Sequence, residues 1–301
     1  MTVANSAPRR VIDTHLHVWK VDAPWMAWLD ERPSSWDVVR RDFDFDELLT
    51  CLDSVGVADL MLVQAGTDIR ETQELLRLAA GETRVRGVVG WASLRDPATT
   101  ARHIDSLLNS PGGDLLKGIR NNHRWKPDGD VLATREVIAA CRVVKEQGLR
   151  LDVHVEDDRD LPLVLAVAES IPELTLIVDH LGKPRIAEGR YFNDWRGWMQ
   201  RLSELPNVYV KYSGWSTFLP RVDASDVAQY VASTIEMFGA FRVMYGGNWP
   251  VALVTDSYCA TYEATLQAVE HCSDAELEHI FHRTATNCYD LADREPTCES
   301  R

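Results

Sequence analysis

The sequence contains no apolar run that approaches the ~20 residues of a membrane-spanning helix. Its first ten residues, MTVANSAPRR, lack the hydrophobic segment of a secretion signal, so we expect a loose tail there. Basic residues are also few, because 32 lysines and arginines stand against 46 acidic residues and give a net charge of −14. This charge argues against nucleic acid or an anionic membrane as the partner. A small molecule is the expected partner, and an anionic one stays open because a basic pocket can lie in an acidic protein.

Three sequence patterns, typical of redox sites, zinc sites and serine hydrolases, are missing as well. None of the six cysteines lies in a CxxC pair or at a zinc-ribbon spacing. Three of them fall in helical patterns, where a reduced, buried thiol is the expected state, and this predicts a cytoplasmic protein. No Gly-x-Ser-x-Gly motif is present, which excludes a serine hydrolase built on a nucleophile elbow.

Short β-branched runs alternate with amphipathic segments along the whole chain. The runs are VIDTHLH, DLMLVQA, VRGVVGWASL, LLKGIR, LRLDVHV, LTLIVDH, NVYVKYS and FRVMYGG. Eight strand–helix units predict a single (β/α)8 TIM barrel, for which 301 residues is an ordinary length. No linker divides the chain, so we assign residues 11–291 to one barrel domain, 1–10 to a disordered N-terminal tail and 292–301 to a C-terminal tail. The last helical pattern, residues 273–291, is expected to pack on the outside.

The longest connection follows the first strand, from Val18 to Asp42, and carries four tryptophans. A connection of this length in a compact fold is typical of a lid or a binding element. A buried aromatic plug is the alternative, and the sequence favours neither. Because indoles supply flat apolar contact area, the four tryptophans indicate a substrate that is larger or more aromatic than a small sugar acid, and we predict that Trp19 and Trp25 contact it.

Four histidines fall at the ends of predicted strands. His15 and His17 end the first strand. His154 ends the fifth strand and His180 the sixth, whereas the other five histidines fall in helices or loops. The active site of such a barrel lies at the C-terminal ends of its strands. These four side chains are therefore predicted to converge on one mouth.

The four histidines have the chemistry of a metal site, because neutral imidazoles suit zinc and related divalent ions. We predict that His15, His17 and His154 hold a divalent metal ion, with zinc as the first choice. His154 and His180 are predicted to orient and activate water. A hydrogen-bond network without metal is the alternative. Asp179, next to His180, is expected to point away from the mouth because strand side chains alternate, and to act as a supporting group.

The strand-end pattern resembles the amidohydrolase superfamily, with His-x-His on strand 1, His on strands 5 and 6, and an acidic residue after strand 8. The segments IDTHLHVW, GIR, IVDHLGKP and GGNWPV narrow the resemblance to the sugar-lactonase-like branch, which includes fuconolactonase, rhamnonolactonase and pyrone-dicarboxylate lactonase. The similarity runs from about Val11 to Leu291. It implies a metal-dependent TIM-barrel hydrolase that opens a lactone ring.

The turn after strand 8 departs from that branch at one position. The branch typically has Gly-Ser/Thr-Asp-Trp-Pro, whereas this chain has Gly-Gly-Asn-Trp-Pro, with the asparagine at Asn248. The resemblance implies that an aspartate there binds metal or acts as general base and then passes a proton to the leaving ring oxygen. An amide has neither the charge nor a basic lone pair. Either the chemistry is altered, or the asparagine is an inactivating substitution that traps substrate, and its near-isosteric shape favours the second.

Further substrate contacts are predicted near strands 2, 4, 7 and 8. In the resembling lactonases the arginine of GIR contacts the substrate's carboxylate or carbonyl oxygen, which assigns Arg120 as an anchor, with an internal salt bridge as the alternative. Lys211 ends strand 7 and is predicted to polarise a carbonyl or stabilise an oxyanion. We add Asn122, Gln64 and Trp249 as substrate contacts, and a core position is an equal alternative for Gln64.

The predicted function is hydrolysis of a lactone or related cyclic ester. Alternatives that would use the same histidines are a non-oxidative decarboxylase of an aromatic or unsaturated acid, and an amide or imide hydrolase. A catalytically inactive ligand-binding protein is suggested by Asn248 alone. The expected partner is a small-molecule lactone or cyclic acid, with neither nucleic acid nor membrane, and a homo-oligomer stays open.

Overall fold

Eight parallel strands follow one another in sequence order in the computed structural model. The structure describes residues 10–122, 134–217 and 219–292, except for the side chains of residues 121 and 122. The strands are β1 (Ile12–Leu16), β2 (Asp59–Val63), β3 (Val85–Gly90), β4 (Leu116–Asn122), β5 (Arg150–His154), β6 (Leu176–Val178), β7 (Val208–Tyr212) and β8 (Val243–Tyr245). Beyond the strand ends, β8 reaches β1 through hydrogen bonds from Asn248 N to His15 O (2.7 Å) and from His17 N to Trp249 O (2.8 Å). The predicted (β/α)8 barrel is confirmed.

Helices connect the strands, and local sequence signals explain their ends. They are α1 (Phe45–Val55), α2 (Ile69–Ala80), α3 (Pro97–Leu108), α4 (Arg135–Glu146), α5 (Leu161–Ser170), α6 (Phe192–Ser203), α7 (Ala224–Phe238), α8 (Tyr258–Ala268), α9 (Asp274–Glu278) and α10 (Thr284–Tyr289). The Asp44 side chain caps α1 by accepting from the Glu47 N–H, and Asp96 caps α3 by accepting from the Thr99 N–H. Such caps satisfy backbone donors that have no partner within the helix.

The long connection after β1 folds back as two short 3-10 helices. These are Pro24–Leu29 and Ser34–Val39. Trp28 and Trp36 are buried, with ring centroids 6.1 Å apart in an edge-to-face arrangement. Trp19 and Phe43 exchange backbone hydrogen bonds of 3.0 and 2.9 Å, which join the two ends of the connection. The connection is a packed aromatic cover, so it combines the two alternatives that the sequence left open.

The segment after α8 closes the barrel interior, which corrects the expected packing on the outside. A π-helical turn, His279–Arg283, joins α9 to α10. Three side chains of α10, those of Ala285, Cys288 and Tyr289, pack against side chains from five different strands. Side chains from so many strands can meet only inside the barrel. They are Ile12, Met61, Val63, Val89, Ile177 and Met244. Helical periodicity shows that a segment has an apolar face, but it does not show which surface that face covers.

Three expectations concern the chain ends, the membrane and the cysteines. The predicted tails lie outside the described residues except for Arg10 and Ala292. No helix within the described ranges is long and apolar enough to cross a membrane. Five cysteines of the described chain are free thiols, namely Cys51, Cys141, Cys259, Cys272 and Cys288.

Candidate active site

The four strand-end histidines meet at the C-terminal mouth of the barrel. His15 lies in β1 and His17 directly after it, while His154 ends β5 and His180 lies in the turn after β6. The His15 ring centroid is 5.0 Å from that of His17 and 4.5 Å from that of His180. The His154 and His180 centroids are 5.5 Å apart, and all four side chains are buried. The structure thus brings together the residues whose convergence was predicted.

Burial favours the neutral form of three of these imidazoles, those of His15, His17 and His180. It lowers the pKa of His15 and of His180 well below the usual value and that of His17 to about 3. His17 Nδ1 lies 2.8 Å from the carbonyl oxygen of Val63, which can only accept. The ring proton is therefore on Nδ1, and Nε2 carries the lone pair. A neutral ring with a lone pair can bind a metal ion or accept a proton from water.

His15, Asp179 and His180 are arranged as a metal site. Each offers one ligand atom, and the three atoms lie within 4.8 Å of one another. Within the described chain, His15 Nε2 and Asp179 Oδ1 are buried and have no hydrogen-bond partner. Such atoms are costly to bury, and a cation between them would satisfy both. Two imidazoles and a carboxylate suit zinc and related ions. Of the predicted ligands, His15 belongs to this group, while His17 and His154 lie beside it.

Asp179 points into the site, and the expectation that it would point away is wrong. β6 ends at Val178, so Asp179 belongs to the following turn and the alternation of a strand does not apply to it. Its Oδ2 accepts a hydrogen bond of 2.7 Å from Arg120 Nε. Burial alone would raise the carboxyl's pKa, but the adjacent His15 ring and the positive charges of Arg120 and Lys211 hold it well below the usual range. The side chain is therefore an anion within the site.

The turn after β6 has an unusual backbone. Residues 180–183 all have positive φ, between 47° and 69°. Such a run is costly for residues that carry a side chain, and it persists where the surrounding structure imposes it. Gly214 approaches the turn so closely that a Cβ there would lie 2.4 Å from His180 Nδ1. The same nitrogen lies 2.8 Å from Ser213 Oγ, so close packing and a hydrogen bond together orient the ring.

Arg120 is held within the site by several partners. Besides its bond to Asp179, Nη1 donates to the Gln64 carbonyl at 3.1 Å, and Nη2 lies 3.0 Å from His154 Nδ1. The internal salt bridge that the sequence left open is therefore present. Arg120 also lines the pocket, but its guanidinium has fewer donors left for a substrate than an unpaired arginine would have.

Lys211 lies below the pocket and does not line it. It is fully buried, and its Nζ lies 2.6 Å from Asp152 Oδ2, 3.4 Å from His15 Nδ1 and 3.7 Å from Asp179 Oδ1. Asp152 Oδ2 also accepts a hydrogen bond of 2.7 Å from the Tyr289 hydroxyl. Burial raises the pKa of Asp152, and the positive charge of Lys211 opposes that shift. This placement favours a positioning role for Lys211 over the direct substrate contact predicted from the sequence.

Replacing Lys211 by methionine is expected to lower the free energy of unfolding by about 3–5 kcal/mol, because it leaves a buried carboxylate without its cation. Urea denaturation followed by circular dichroism measures the change. Combining Lys211→Met with Asp152→Asn should recover most of the loss, since no unpaired charge then remains. A loss below about 1 kcal/mol in the single variant would show that the ion pair does not support the barrel.

The turn after β8 brings Asn248 to the pocket. Its φ is 55°, a left-handed conformation that asparagine tolerates better than most residues. Its Nδ2 lies 3.3 Å from Thr217 Oγ1, and its side chain lies near enough to His17 to influence the pKa of that ring. Asp13 accepts a hydrogen bond of 2.8 Å from the Gly247 N–H and so ties the turn to β1. The position to which the resemblance assigns proton transfer therefore lies among the histidines.

The site opens through a narrow inner pocket of about 40 Å³ and an adjoining outer cleft of about 550 Å³. The inner pocket is lined by five predicted site residues, namely His17, Arg120, His154, His180 and Asn248. Of the other lining residues, Lys183 and Thr217 were not predicted, and Trp28 and Trp36 were predicted only as part of the long connection that could bind substrate. Lys183 stands in the HLGKP segment that carried the family resemblance, and the two tryptophans stand in the long connection. Thr217 has no sequence signal.

Three tryptophans predicted to contact substrate lie away from the inner pocket. Trp19 is buried and donates from Nε1 to the Arg41 carbonyl at 2.9 Å. Both Trp19 and Trp25 line a separate cavity of about 300 Å³. Trp249 is fully buried, with its ring centroid 5.2 Å from that of Phe43. The apolar surface of these tryptophans packs the aromatic cover onto the barrel. Little of that surface is therefore left to contact a ligand.

The remaining two predicted contacts are Gln64 and Asn122. Gln64 is fully buried, and its Nε2 lies 3.5 Å from the Arg120 carbonyl oxygen, which agrees with the core position left open. Asn122 is the last residue of β4, and its side chain is outside the described part of the structure. The Asn122 contact therefore stays a prediction.

Comparisons with known proteins agree with this architecture. A family model described as Amidohydrolase matches residues 12–291. An L-fucono-1,5-lactonase from Burkholderia ambifaria is 33% identical over 87% of this chain and 88% of its own length. One from Burkholderia multivorans is 30% identical over 93% of this chain and 96% of its own length. A crystal structure of an amidohydrolase from Burkholderia multivorans with bound zinc has 29% identity and a TM-score of 0.84, covering 94% of this chain and 100% of its own.

Proposed function

Because the chain belongs to the amidohydrolase family, we propose that it is an enzyme that opens a lactone ring by hydrolysis. The observation that carries the proposal is the group of four buried histidines with Asp179 at the barrel mouth. The two relatives at 33% and 30% identity, both named for lactone hydrolysis, support this choice of reaction.

In this reaction water adds to the acyl carbon, the ring C–O bond breaks, and a carboxylic acid and a hydroxyl group form. The carbonyl would lie in the inner pocket near Lys183, whose Nζ is 3.4 Å from His154 Nε2. A fixed cation there stabilises the negative charge that develops on the carbonyl oxygen. His180, oriented by Ser213, would present the lone pair of its neutral ring to a bound ion or, where no ion is bound, to the attacking water.

His15, Asp179 and His180 would hold a divalent ion, with zinc proposed, and His17 and His154 are the further predicted ligands. Such an ion, when bound, polarises a carbonyl and lowers the pKa of water. Neither the buried Nε2 of His15 nor the buried Oδ1 of Asp179 has a hydrogen-bond partner among the described residues, which supports this assignment. Beneath them, Lys211 and Arg120 keep Asp179 ionised, and an ionised carboxylate is the form that can serve as a ligand.

The residue at position 248 completes the proton path in this proposal. A carboxylate there would take the proton from water and return it to the ring oxygen as it leaves. Asn248 can hydrogen-bond to water but cannot accept its proton. We therefore propose that the chain with Asn248 binds lactones and hydrolyses them slowly, as an inactivating substitution would cause, and that the aspartate form is the efficient hydrolase.

The test presents the Asn248→Asp form with L-fucono-1,5-lactone, other sugar lactones, a cyclic amide and an aromatic carboxylic acid. We expect one acid group released per lactone, detected with a pH indicator, no carbon dioxide and no amide cleavage. Carbon dioxide from the aromatic acid without lactone opening would identify a decarboxylase. Tight lactone binding without turnover in both forms would identify a ligand-binding protein.

The cellular setting that we propose is the cytoplasm, with a small cyclic ester as the partner. The free thiols of the described cysteines support a reducing compartment. A homo-oligomer is compatible with this function and is tested by measuring the mass in solution.

A further inference from the structure

The inner pocket is small for a sugar lactone. Its volume is about 40 Å³, whereas sites that bury small-molecule ligands usually enclose ~300–1,000 Å³. The outer cleft, about 550 Å³, shares His180, Lys183 and Gly214 with the inner pocket. A lactone whose carbonyl reaches the histidines must therefore place many of its other atoms in the outer cleft. The walls of this cleft then decide which substituents are accepted.

Arg32, on the connection after β1, lies on the wall of the outer cleft. It is half-buried, and its Nε is a buried donor with no hydrogen-bond partner in the described chain. Burial lowers the pKa of Arg32, and Glu156 and Glu31 oppose this shift from a distance. Among the described residues, no carboxylate forms an ion pair with its guanidinium. Arg32 is thus a partly desolvated cation on which Glu156 and Glu31 act without forming an ion pair.

Three other arginines in or next to this cleft have their partners within the protein, and one of them, Arg159, pairs with Asp157. Arg40 donates to the Leu29 carbonyl at 3.1 and 3.2 Å and to the Arg32 carbonyl. Arg185 pairs with Asp158 at 2.7 Å. These side chains stabilise the connection and the β6 turn, and their donors are already used. Arg32 differs because its backbone carbonyl accepts a hydrogen bond from Arg40, whereas its guanidinium can still donate to an acceptor on a ligand.

Two tryptophans hold Arg32 at the border between the outer cleft and the inner pocket. The guanidinium carbon lies 5.1 Å from the Trp36 ring centroid and 5.8 Å from that of Trp28, which is within the range of cation–π contact. Both indoles line the inner pocket. A group attached to a lactone ring in the inner pocket would therefore extend toward the guanidinium.

We propose that Arg32 is a specificity-determining residue that binds a carboxylate on the substrate, so that the enzyme prefers lactones with a second, anionic group. This inference rests on the proposed lactone hydrolysis. The planar guanidinium matches a carboxylate in shape, and Nε with one terminal nitrogen can donate to both of its oxygens. Partial burial strengthens such a pair relative to an exposed one. Lys183, which lines both cavities, adds positive charge along the path between them.

The test uses D-glucaro-1,4-lactone and D-glucono-1,4-lactone, which differ only in a carboxylate or a hydroxymethyl group at the far end. Calorimetry measures binding to the Asn248 chain, and kcat/KM is measured in the Asn248→Asp form. We expect the charged lactone to bind roughly 10- to 100-fold more tightly. Arg32→Gln should abolish this preference and leave binding of the neutral lactone unchanged. Arg32→Lys, which keeps the charge without the planar fork, should recover part of it.

Arg70 provides a matched control on the same side of the barrel. Its guanidinium also lies over a tryptophan of the connection, 5.5 Å from the Trp25 ring centroid, but it pairs with Asp68 and lies outside the cleft. Arg70→Gln should therefore keep the preference for the charged lactone. Equal affinity of the parent for both lactones, or a preference that survives Arg32→Gln, would overturn the proposal.

The two proposals fail in different ways. If the charged lactone binds through Arg32 but neither form of the chain hydrolyses any lactone, the hydrolysis is refuted and the carboxylate subsite stands. If both lactones are hydrolysed with equal kcat/KM and Arg32→Gln changes nothing, the hydrolysis stands and the subsite is refuted.

Discussion

Lactone hydrolysis is expected to rise ~10²–10⁴-fold when Asn248 is replaced by aspartate, which is the usual contribution of a positioned general base or acid. The new carboxylate would lie beside His17 and within reach of the Thr217 hydroxyl, where the amide lies now. Aspartate also tolerates the left-handed backbone at this position. The substitution therefore adds a proton acceptor among the histidines with little change of shape.

The measurement compares kcat/KM of the two forms on each lactone that binds, with affinities from calorimetry at the same pH. Substrate affinity should change little, because Arg120 and Lys183 are the same in both forms. Asn109→Asp makes the same chemical change at the exposed end of α3 and should leave the rate unaltered. If Asn248→Asp leaves the rate unchanged on every lactone that binds, asparagine belongs to the native chemistry and the proposed proton path is wrong.

The second large effect is expected at His180. In the aspartate form, His180→Asn should lower kcat/KM by ~10²–10⁴-fold, because the ring nitrogen that faces the reaction is lost. Asparagine suits the test, since it accepts positive φ and can still hydrogen-bond to Ser213. The fold should therefore be retained, with an unfolding midpoint close to that of the parent.

His279 supplies the control for a histidine outside the mouth. It lies in the π-helical turn before α10, so His279→Asn should keep the full rate. His15→Ala and His154→Ala should behave like His180→Asn if the histidines act as one site. Near-normal rates in all three strand-end variants would mean that the histidines form a structural network and that the chemistry lies elsewhere.

The barrel and its histidine cluster could be predicted because both follow from regular rules. Strand–helix alternation is visible in the hydrophobic pattern, and a parallel barrel gathers the C-terminal ends of all its strands at one face. His15, His154 and His180 stand at such ends, so their meeting follows from the fold. No detail of side-chain packing was needed for that step.

The features that escaped prediction depend on where regular structure stops. Asp179 enters the site because β6 is only three residues long and ends just before it. Lys183 reaches the pocket through a run of left-handed residues that no periodicity indicates. The connection after β1 places Trp28 and Trp36 at the pocket, whereas Trp19 and Trp25 face elsewhere, and its fold depends on packing against the barrel.

The hydrogen bonds that join β1 to β8 affect the order in which the protein can fold during synthesis. Asp13 and His15 receive partners from Gly247 and Asn248, residues that leave the ribosome long after them. Tyr289, later still, completes the contacts of Asp152. Contacts so distant in sequence form slowly, because a long loop must close before they stabilise the chain. The nascent amino-terminal half therefore exposes strands that lack their neighbours until β8 and the carboxyl-terminal helix have been synthesised.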